Sequence, residues 1–237
     1  MPDHKQFTQE FRLESTGKGP FKWQGGLYYF DESLNIDSFN FSSLGGGVQN
    51  GYATQSQDNK AYAVFGSVNY DVSDALKLRG GLRYTRDKKD FVADRLVAPP
   101  FSPTFIGRLS TATSASNVSW DVSGTYAVDK DINAYARVAT GFRAPSIQGR
   151  LLFGDTLSVA DSEKVTSLEA GIKADLLQGR ARLSFGLFQF TIKDQQLTAV
   201  GGGANFNRLV NAEKTLGRGA EIDFQAFVTD NLLGSLG

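Results

Sequence analysis

Residues 76–85 read Leu76-Lys77-Leu78-Arg79-Gly80-Gly81-Leu82-Arg83-Tyr84-Thr85, with polarity alternating from one position to the next. At a period of two, the apolar side chains share one face and the cations share the other. The apolar set is Leu76, Leu78, Leu82 and Tyr84, and the polar set is Lys77, Arg79, Arg83 and Thr85. Helical spacing would scatter the cations around the whole surface, so the stretch predicts a β-strand with two different faces.

The same alternation recurs along the chain. It is clear in 7–14, 21–29, 62–70, 118–126, 168–175, 182–187 and 221–226, and 132–142 has a less regular strand character. This predicts an all-β fold of about nine antiparallel strands, each near the usual strand length. The polar faces carry full charges, which are costly to bury in the core of a sandwich.

The predicted connections alternate between short and long. Short turns are expected at 15–20, 72–75, 128–131, 177–179 and 229–231, and long loops at 31–60, 91–116, 143–165 and 194–208. In an up-and-down sheet, alternate connections emerge at the same end, so every long loop lies at one rim. Tight periplasmic turns and long extracellular loops are typical of outer-membrane barrels. The sequence therefore predicts an antiparallel, up-and-down sector of a transmembrane β-barrel.

Composition argues against several other classes of protein. Lys plus Arg equals Asp plus Glu at 25 each, so no overall positive charge favours nucleic-acid binding. There is no cysteine, and His4 is the single histidine, so thiolate sites, zinc clusters and His-based catalysis lack material. Two carboxylate pairs, Asp87 with Asp90 and Asp161 with Glu163, lie near predicted loop boundaries, where solvated acids are ordinary. We therefore expect no enzyme activity, no cofactor and no metal site.

One stretch resembles a known family. Asn133-Ala134-Tyr135-Ala136-Arg137-Val138-Ala139-Thr140-Gly141-Phe142-Arg143-Ala144-Pro145-Ser146 is similar to the barrel strand of TonB-dependent outer-membrane receptors that runs into a Gly-Phe-Arg-x-Pro-Ser loop. Residues 78–85, 167–173 and 217–222 resemble further barrel strands in the family's order, so the resemblance covers essentially the whole chain.

The resemblance implies a large barrel, plugged by an N-terminal domain, that takes up a scarce nutrient such as a ferric siderophore with energy from the TonB complex. No plug and no TonB-contacting segment is recognisable, and residues 232–237 look like the beginning of a strand. The expectation is therefore an open fragment: residues 1–237 as a partial barrel domain without its plug. Its expected partners are the outer-membrane lipid bilayer, the TonB complex through the missing plug, and a small nutrient or metal chelate.

Candidate ligand contacts are aromatic and cationic residues of the predicted long loops, because aromatic rings stack on sugars or chelates and Arg pairs with anionic groups. They are Tyr52, Phe101, Phe105, Arg108, Arg150 and Phe153. The alternative is that these side chains pack the loops against each other. In the family motif, Gly141, Phe142, Arg143 and Pro145 mark the start of a loop, where Arg143 and Pro145 are expected to fix backbone geometry rather than bind ligand.

Two other functions remain open from the sequence. A passive porin-like barrel would share the strand pattern but lack energy coupling, and a plug domain in the complete gene would argue against it. A soluble all-β carbohydrate-binding protein would bury its apolar residues in a shared dry centre and expose its charged ones.

Overall fold

A computed structural model describes residues 3–98, 106–152, 154–201 and 207–237. Its elements are all strands: β1 (Asp3–Glu14), β2 (Phe21–Ser42), β3 (Val48–Asp71), β4 (Leu76–Val97), β5 (Gly107–Ala127), β6 (Ile132–Arg143), β7 (Ser146–Gln148), β8 (Ser158–Ala160), β9 (Glu163–Leu176), β10 (Ala181–Val200), β11 (Asn207–Thr229) and β12 (Leu232–Leu236). In the described part of the chain, no helix is long and apolar enough to cross a membrane.

Ten strands form one antiparallel sheet in chain order, interrupted only by the separate β7–β8 hairpin. The sheet does not close on itself, because β1 and β12 each pair on one side only. This confirms the predicted open sector of an up-and-down barrel. The strand number exceeds the expected nine because residues 232–236 pair with β11 as a further strand.

The predicted long loops are wrong in three of the four cases. Pairing of β2 with β3 continues from Phe21↔Tyr70 to Ser42↔Val48, where 31–60 was expected to be a loop. Pairing likewise extends to Arg95↔Gly107 between β4 and β5, and to Val200↔Asn207 between β10 and β11. In these extensions both faces are largely polar, so the alternation of polarity fades while the backbone pairing persists. The fourth connection, between β6 and β9, is long as expected.

One face of the sheet carries an exposed apolar band. On β2, β3, β4 and β5 the band covers nine residues each: 21–29, 62–70, 76–84 and 118–126. Leu82 is 62% exposed, Val122 53% and Val64 51%, so these side chains do not share a dry centre. Beyond the band the same face turns polar at Asp31, Lys60, Arg86 and Ser116, which argues against a soluble sandwich.

The opposite, polar face carries aromatic rings that lie over glycines of the neighbouring strand. The four pairs are Phe65 with Gly26, Tyr135 with Gly171, Phe188 with Gly219 and Phe190 with Gly217, and each is a direct cross-strand partnership. Rings of Phe188 and Phe190 stack at 6.3 Å and 7°. The glycines thus leave room for large rings to lie against the sheet, a known device for covering glycine in strands.

Gly171→Ala is expected to destabilise the sheet by about 1–3 kcal/mol, as overpacking generally does. An added Cβ would contact the carbonyl oxygen of Phe185, which is backbone and cannot move aside, and would lie 2.7 Å from Cε1 of Tyr135. The measurement is urea unfolding of the full-length protein in detergent micelles.

Gly80→Ala is the matched control, because the nearest atom to its added Cβ is the carbonyl oxygen of Asp121 at 3.9 Å, an ordinary contact. Equal unfolding midpoints for the two variants would contradict the close packing described for Gly171.

Candidate functional site: a strap over the polar face

The connection between β6 and β9 folds over the polar face at the long-connection end of the sheet. We call residues 144–162, which include β7 and β8, the strap. Strands β6 and β9 stop at Arg143 and Glu163, whereas β4, β10 and β11 continue further. The strap contacts β4 through Phe91 and Arg95, and its β7–β8 hairpin contacts β11 on the other side. The strap therefore crosses the polar face from β4 to β11.

Apolar packing fixes the middle of the strap. Leu151 and Leu152 are fully buried, together with Ala53 of β3 and with Phe91 and Ala93 of β4. Phe91 and Ala93 follow Arg79 and Arg83 at a period of two, which places them on the polar face. Within the described residues, this is where a buried apolar cluster forms. Burial of large side chains of this kind contributes roughly 1.5–3 kcal/mol each.

A buried arginine adds polar anchors to the same contact. Arg95 is 0% exposed, and its Nε donates to the carbonyl oxygen of Leu151 at 2.5 Å. Its Nη1 donates to Oδ1 of Asp155 at 2.7 Å, and its Nη2 donates to the carbonyl oxygen of Gly154. A charge buried this deeply is tolerated only when it is paired and hydrogen-bonded. The strap supplies all three of these acceptors.

A glutamine of β10 holds the two ends of the strap together. The Nε2 atom of Gln196 donates to the carbonyl oxygens of Ala144 at 2.8 Å and Asp161 at 2.9 Å. Its Oε1 accepts from Oγ of Ser146 at 2.6 Å, and its backbone N–H donates to Oε2 of Glu163 at 2.8 Å. Gln196 is buried. Every polar atom of its amide therefore engages the strap.

The two carboxylate pairs do not form acid–base dyads. Asp87 is buried, and Nζ of Lys89 lies 2.7 Å from its Oδ1 and donates at 3.0 Å to the carbonyl oxygen of Pro145. The expectation that Asp87 is a solvated acid was wrong, because β4 continues past it under the strap. Asp90 lies on the opposite face, where it pairs with Lys88 at 2.9 Å.

The second pair, Asp161 and Glu163, lies where the strap ends and β9 begins. Asp161 contributes its carbonyl oxygen to Gln196 and to Nδ2 of Asn211, and its backbone N–H donates to Oδ1 of Asn211. Glu163 accepts from the Gln196 backbone. Neither pair presents two carboxylates to a common point.

Two of the six predicted ligand residues lie on the face of the apolar band, away from the strap. Tyr52 stacks on Phe39 at 4.9 Å, and its hydroxyl donates to Oδ1 of Asp37 at 3.1 Å, which raises the pKa of Tyr52. The Nε of Arg108 donates to both carboxylate oxygens of Asp94 at 3.1 Å, which raises the pKa of Arg108. Both side chains bind neighbours on their own hairpins.

The other four predicted residues belong to the strap or to undescribed segments. Arg150 is exposed on the strap. Phe101, Phe105 and Phe153 lie outside the described residues. Of the three candidates that the structure describes, Tyr52, Arg108 and Arg150, it brings Arg150 to the polar-face site.

The motif residues lie where β6 passes into the strap. Gly141 pairs with Val165, whose Cγ1 would lie 2.6 Å from an added Cβ. Phe142 is half-buried and pairs with Lys164. Arg143 is exposed and its Nη1 lies 4.0 Å from Oε2 of Glu163, and Pro145 is buried at the start of the strap.

Sequence reasoning missed Phe91, Arg95 and Gln196. A signal for the first two was present, because they continue the odd-numbered positions of the polar face of β4. Gln196 lies in 194–208, which was predicted as a long loop, so no strand face was assigned to it, although the register of β10 with β11 continues through it unchanged.

Groups of three or more His, Cys, Asp or Glu side chains suited to a metal do not occur among the described residues. His4 is exposed, with Nε2 2.8 Å from Oε1 of Glu32. Among its described residues, the strap exposes Arg150, Thr156, Val159 and Asp161.

Solved transporters share this architecture. The ferric yersiniabactin uptake receptor FyuA from Yersinia pestis matches with a TM-score of 0.79 and 18% identity, over 97% of this chain and 33% of that one. The ferric-catecholate import receptor Fiu from K12 E. coli matches with 0.71 and 17%, over 97% and 36%. The copper transporter OprC matches with 0.73 and 13%, over 99% and 36%.

This chain thus spans about a third of the length of the solved structures that it matches. At these identities the likeness shows the fold alone. The family profile described as TonB dependent receptor-like, beta-barrel matches residues 2–237, nearly the entire chain. Together with the open up-and-down sheet, this shows that the chain belongs to the TonB-dependent receptor β-barrel family.

Proposed function

We propose that this chain forms part of the wall of an outer-membrane active transporter for a scarce nutrient, a ferric siderophore or a similar metal chelate. In this proposal residues 1–237 are one sector of the barrel, and a plug domain outside these residues couples it to the TonB complex. The apolar band contacts lipid, and the polar face looks into the lumen.

The observation that carries the proposal is the height and exposure of the apolar band. Nine residues at about 3.3 Å each, tilted by about 35–45° as barrel strands are, give a band of roughly 21–24 Å, close to the ~25 Å of outer-membrane barrels. Tyr29, Tyr62 and Tyr84 end the band on the side of the strand extensions, as aromatic girdles do at membrane interfaces. The extensions beyond it then project outside the cell.

The strap supports a role in recognition. It lies over the polar face at the extracellular end in this orientation, so a nutrient entering the lumen would pass it. Its anchors are buried and hydrogen-bonded on both walls, which gives a fixed surface of the kind that binding sites need. The iron cargo is proposed because FyuA and Fiu are named for iron chelates, although OprC is named for copper.

Uptake by cells tests the proposal. The full-length gene that contains this chain is expressed in a receptor-deleted strain, with and without functional TonB, and fed ferric siderophores of the catecholate, hydroxamate and phenolate classes labelled with radioactive iron. We expect one class to accumulate only when both the receptor and TonB are present.

The same experiment distinguishes energised transport from passive diffusion through a porin-like pore. Accumulation that persists without TonB would indicate a porin-like pore and contradict energised transport. Failure of every siderophore class, with TonB-dependent uptake of cobalamin or copper, would correct the cargo but retain the transporter.

A further inference from the structure

A depression in the polar face, well below the strap, gathers three arginines. It is lined by Arg79 and Arg83 of β4, Arg137 of β6, Asp121 of β5, and the hydroxyl residues Ser67, Ser119 and Thr140. Three guanidinium groups stand against one carboxylate, a formal excess of two positive charges. The register explains the convergence, because Arg79 pairs with Ser123 and Ser123 pairs with Arg137 across three adjacent strands.

These guanidinium groups have few acceptors. The Nε of Arg79 lies 3.8 Å from Oδ2 of Asp121, too long for a hydrogen bond. Arg137 makes no ion pair within 4.0 Å in the described part of the chain, and its cross-strand partner Glu169 accepts from the Tyr135 hydroxyl at 2.7 Å. Each guanidinium carries five N–H donors, so most donors here face open space.

Arg83 is held in place by aromatic rings. Its guanidinium carbon lies 5.2 Å from the centroid of the Tyr28 ring and 5.5 Å from that of Phe65, and its Nε donates to Oγ1 of Thr85 at 3.2 Å. Cation–π contacts orient the group while leaving Nη1 and Nη2 available. The fork is therefore preorganised before any anion arrives.

A further donor is buried in the same wall. The Oγ of Ser67 is shielded from solvent, and no partner satisfies it among the described residues. An unsatisfied buried hydroxyl is costly, typically 1–3 kcal/mol, and calls for an explanation. Its position in the lining of the depression makes this hydroxyl a supporting donor for a ligand held there.

We propose that this depression binds a carboxylate, with Arg79 and Arg137 as its main anchors and with Arg83 and Ser67 as supporting donors. Planar guanidinium forks bind carboxylates with two parallel hydrogen bonds, which fits the chemistry present. The depression holds about 270 Å³, enough for an acidic side chain or a small organic acid but below the usual range for drug-sized ligands. A whole metal chelate would not fit inside this volume.

The carboxylate can come from two sources. One is an Asp or Glu side chain of the domain proposed to fill the lumen, and the other is a small solute acid. The first source rests on the proposed function, whereas the second does not require it.

The test uses the full-length receptor in detergent and the double variant Arg79→Gln/Arg137→Gln. Arg182→Gln is the matched control, since Arg182 also lies on the polar face but already donates to Asp175 at 2.9 Å. Succinate is titrated calorimetrically, and backbone amide hydrogen exchange is measured across the receptor. Loss of one charge-assisted contact corresponds to a change of about tenfold or more.

A solute site would be supported if the wild type and the control bind succinate and the double variant binds it at least about tenfold more weakly. An internal carboxylate would be supported by a different result. In that case no protein binds succinate, and amide exchange is faster in one segment of the lumen-filling domain in the double variant only. The absence of both effects would overturn the proposal. Neither readout depends on TonB, so a failure of energised uptake would be recognised separately.

If the glutamine pair does not assemble, Arg79→Lys/Arg137→Lys and Ser67→Ala provide the same two readouts. The lysine pair keeps both charges but loses the planar fork, so we expect a partial loss of the same effect. Both replacement variants behaving as wild type would contradict the assignment.

Discussion

Arg95→Ala is expected to release the strap from β4, with a loss of about 3–5 kcal/mol in the free energy that holds it closed. The wild-type guanidinium is fully buried and donates to Leu151, Gly154 and Asp155. Its removal leaves the Asp155 carboxylate and two carbonyl oxygens without this donor, while a cavity remains beneath the strap. Amide hydrogen exchange of residues 146–160 in the full-length receptor should accelerate by roughly a hundredfold or more.

The control for this prediction is Arg108→Ala. Arg108 also pairs with an aspartate, but its side chain is 71% exposed and lies on the other face, so we expect at most about 1 kcal/mol and unchanged strap exchange. Arg95→Lys should give an intermediate effect, because one ammonium cannot reach all three acceptors in the guanidinium geometry. Strap exchange that is the same in Arg95→Ala and the wild type would show that the apolar packing and the Gln196 hydrogen bonds hold the strap without Arg95.

The strands of the band could be predicted from the sequence because one simple force dictates them. Where one face is apolar and the other polar, a shift by one residue would exchange the faces, so alternation reports both the strand and its register. Leu78, Leu82 and Val122 were placed correctly for this reason. The turns between these strands are short and rich in Gly, Asp and Ser. These residues favour turns through their own backbone conformation and local hydrogen bonds.

The strand extensions and the strap could not be predicted in the same way. Past Asp31 and Lys60 the alternation of apolar and polar side chains fades, so composition suggests loops even though the backbone groups continue to pair. The strap depends on long-range contacts, such as Gln196 with Ala144 and Arg95 with Leu151, that leave no periodic trace in the sequence. Aromatic and cationic side chains were chosen as ligand residues by type, and type alone does not tell which face of a hairpin they occupy, as Tyr52 and Arg108 show.

Val122→Arg places a charge in the middle of the apolar band and is the second large effect expected. If the band contacts lipid, an arginine at the bilayer midplane costs about 2–4 kcal/mol in outer-membrane barrels. Val122 is the central residue of 118–126, and its side chain points out from the sheet with no layer above it among the described residues. Reversible urea unfolding of the full-length receptor in lipid vesicles measures the cost.

Ser110→Arg is the matched control on the same strand and the same face, twelve positions from Val122 and beyond the band. There the arginine meets water, so we expect about 0–1 kcal/mol, the value for charges near or outside the interface. The difference in unfolding free energy between the two variants reports how the surroundings of this face change along the strand, because the introduced residue and the strand are the same. Equal costs would mean that the exposed leucines, valines and tyrosines are covered by protein, and the lipid-facing orientation of the whole sheet would then be wrong.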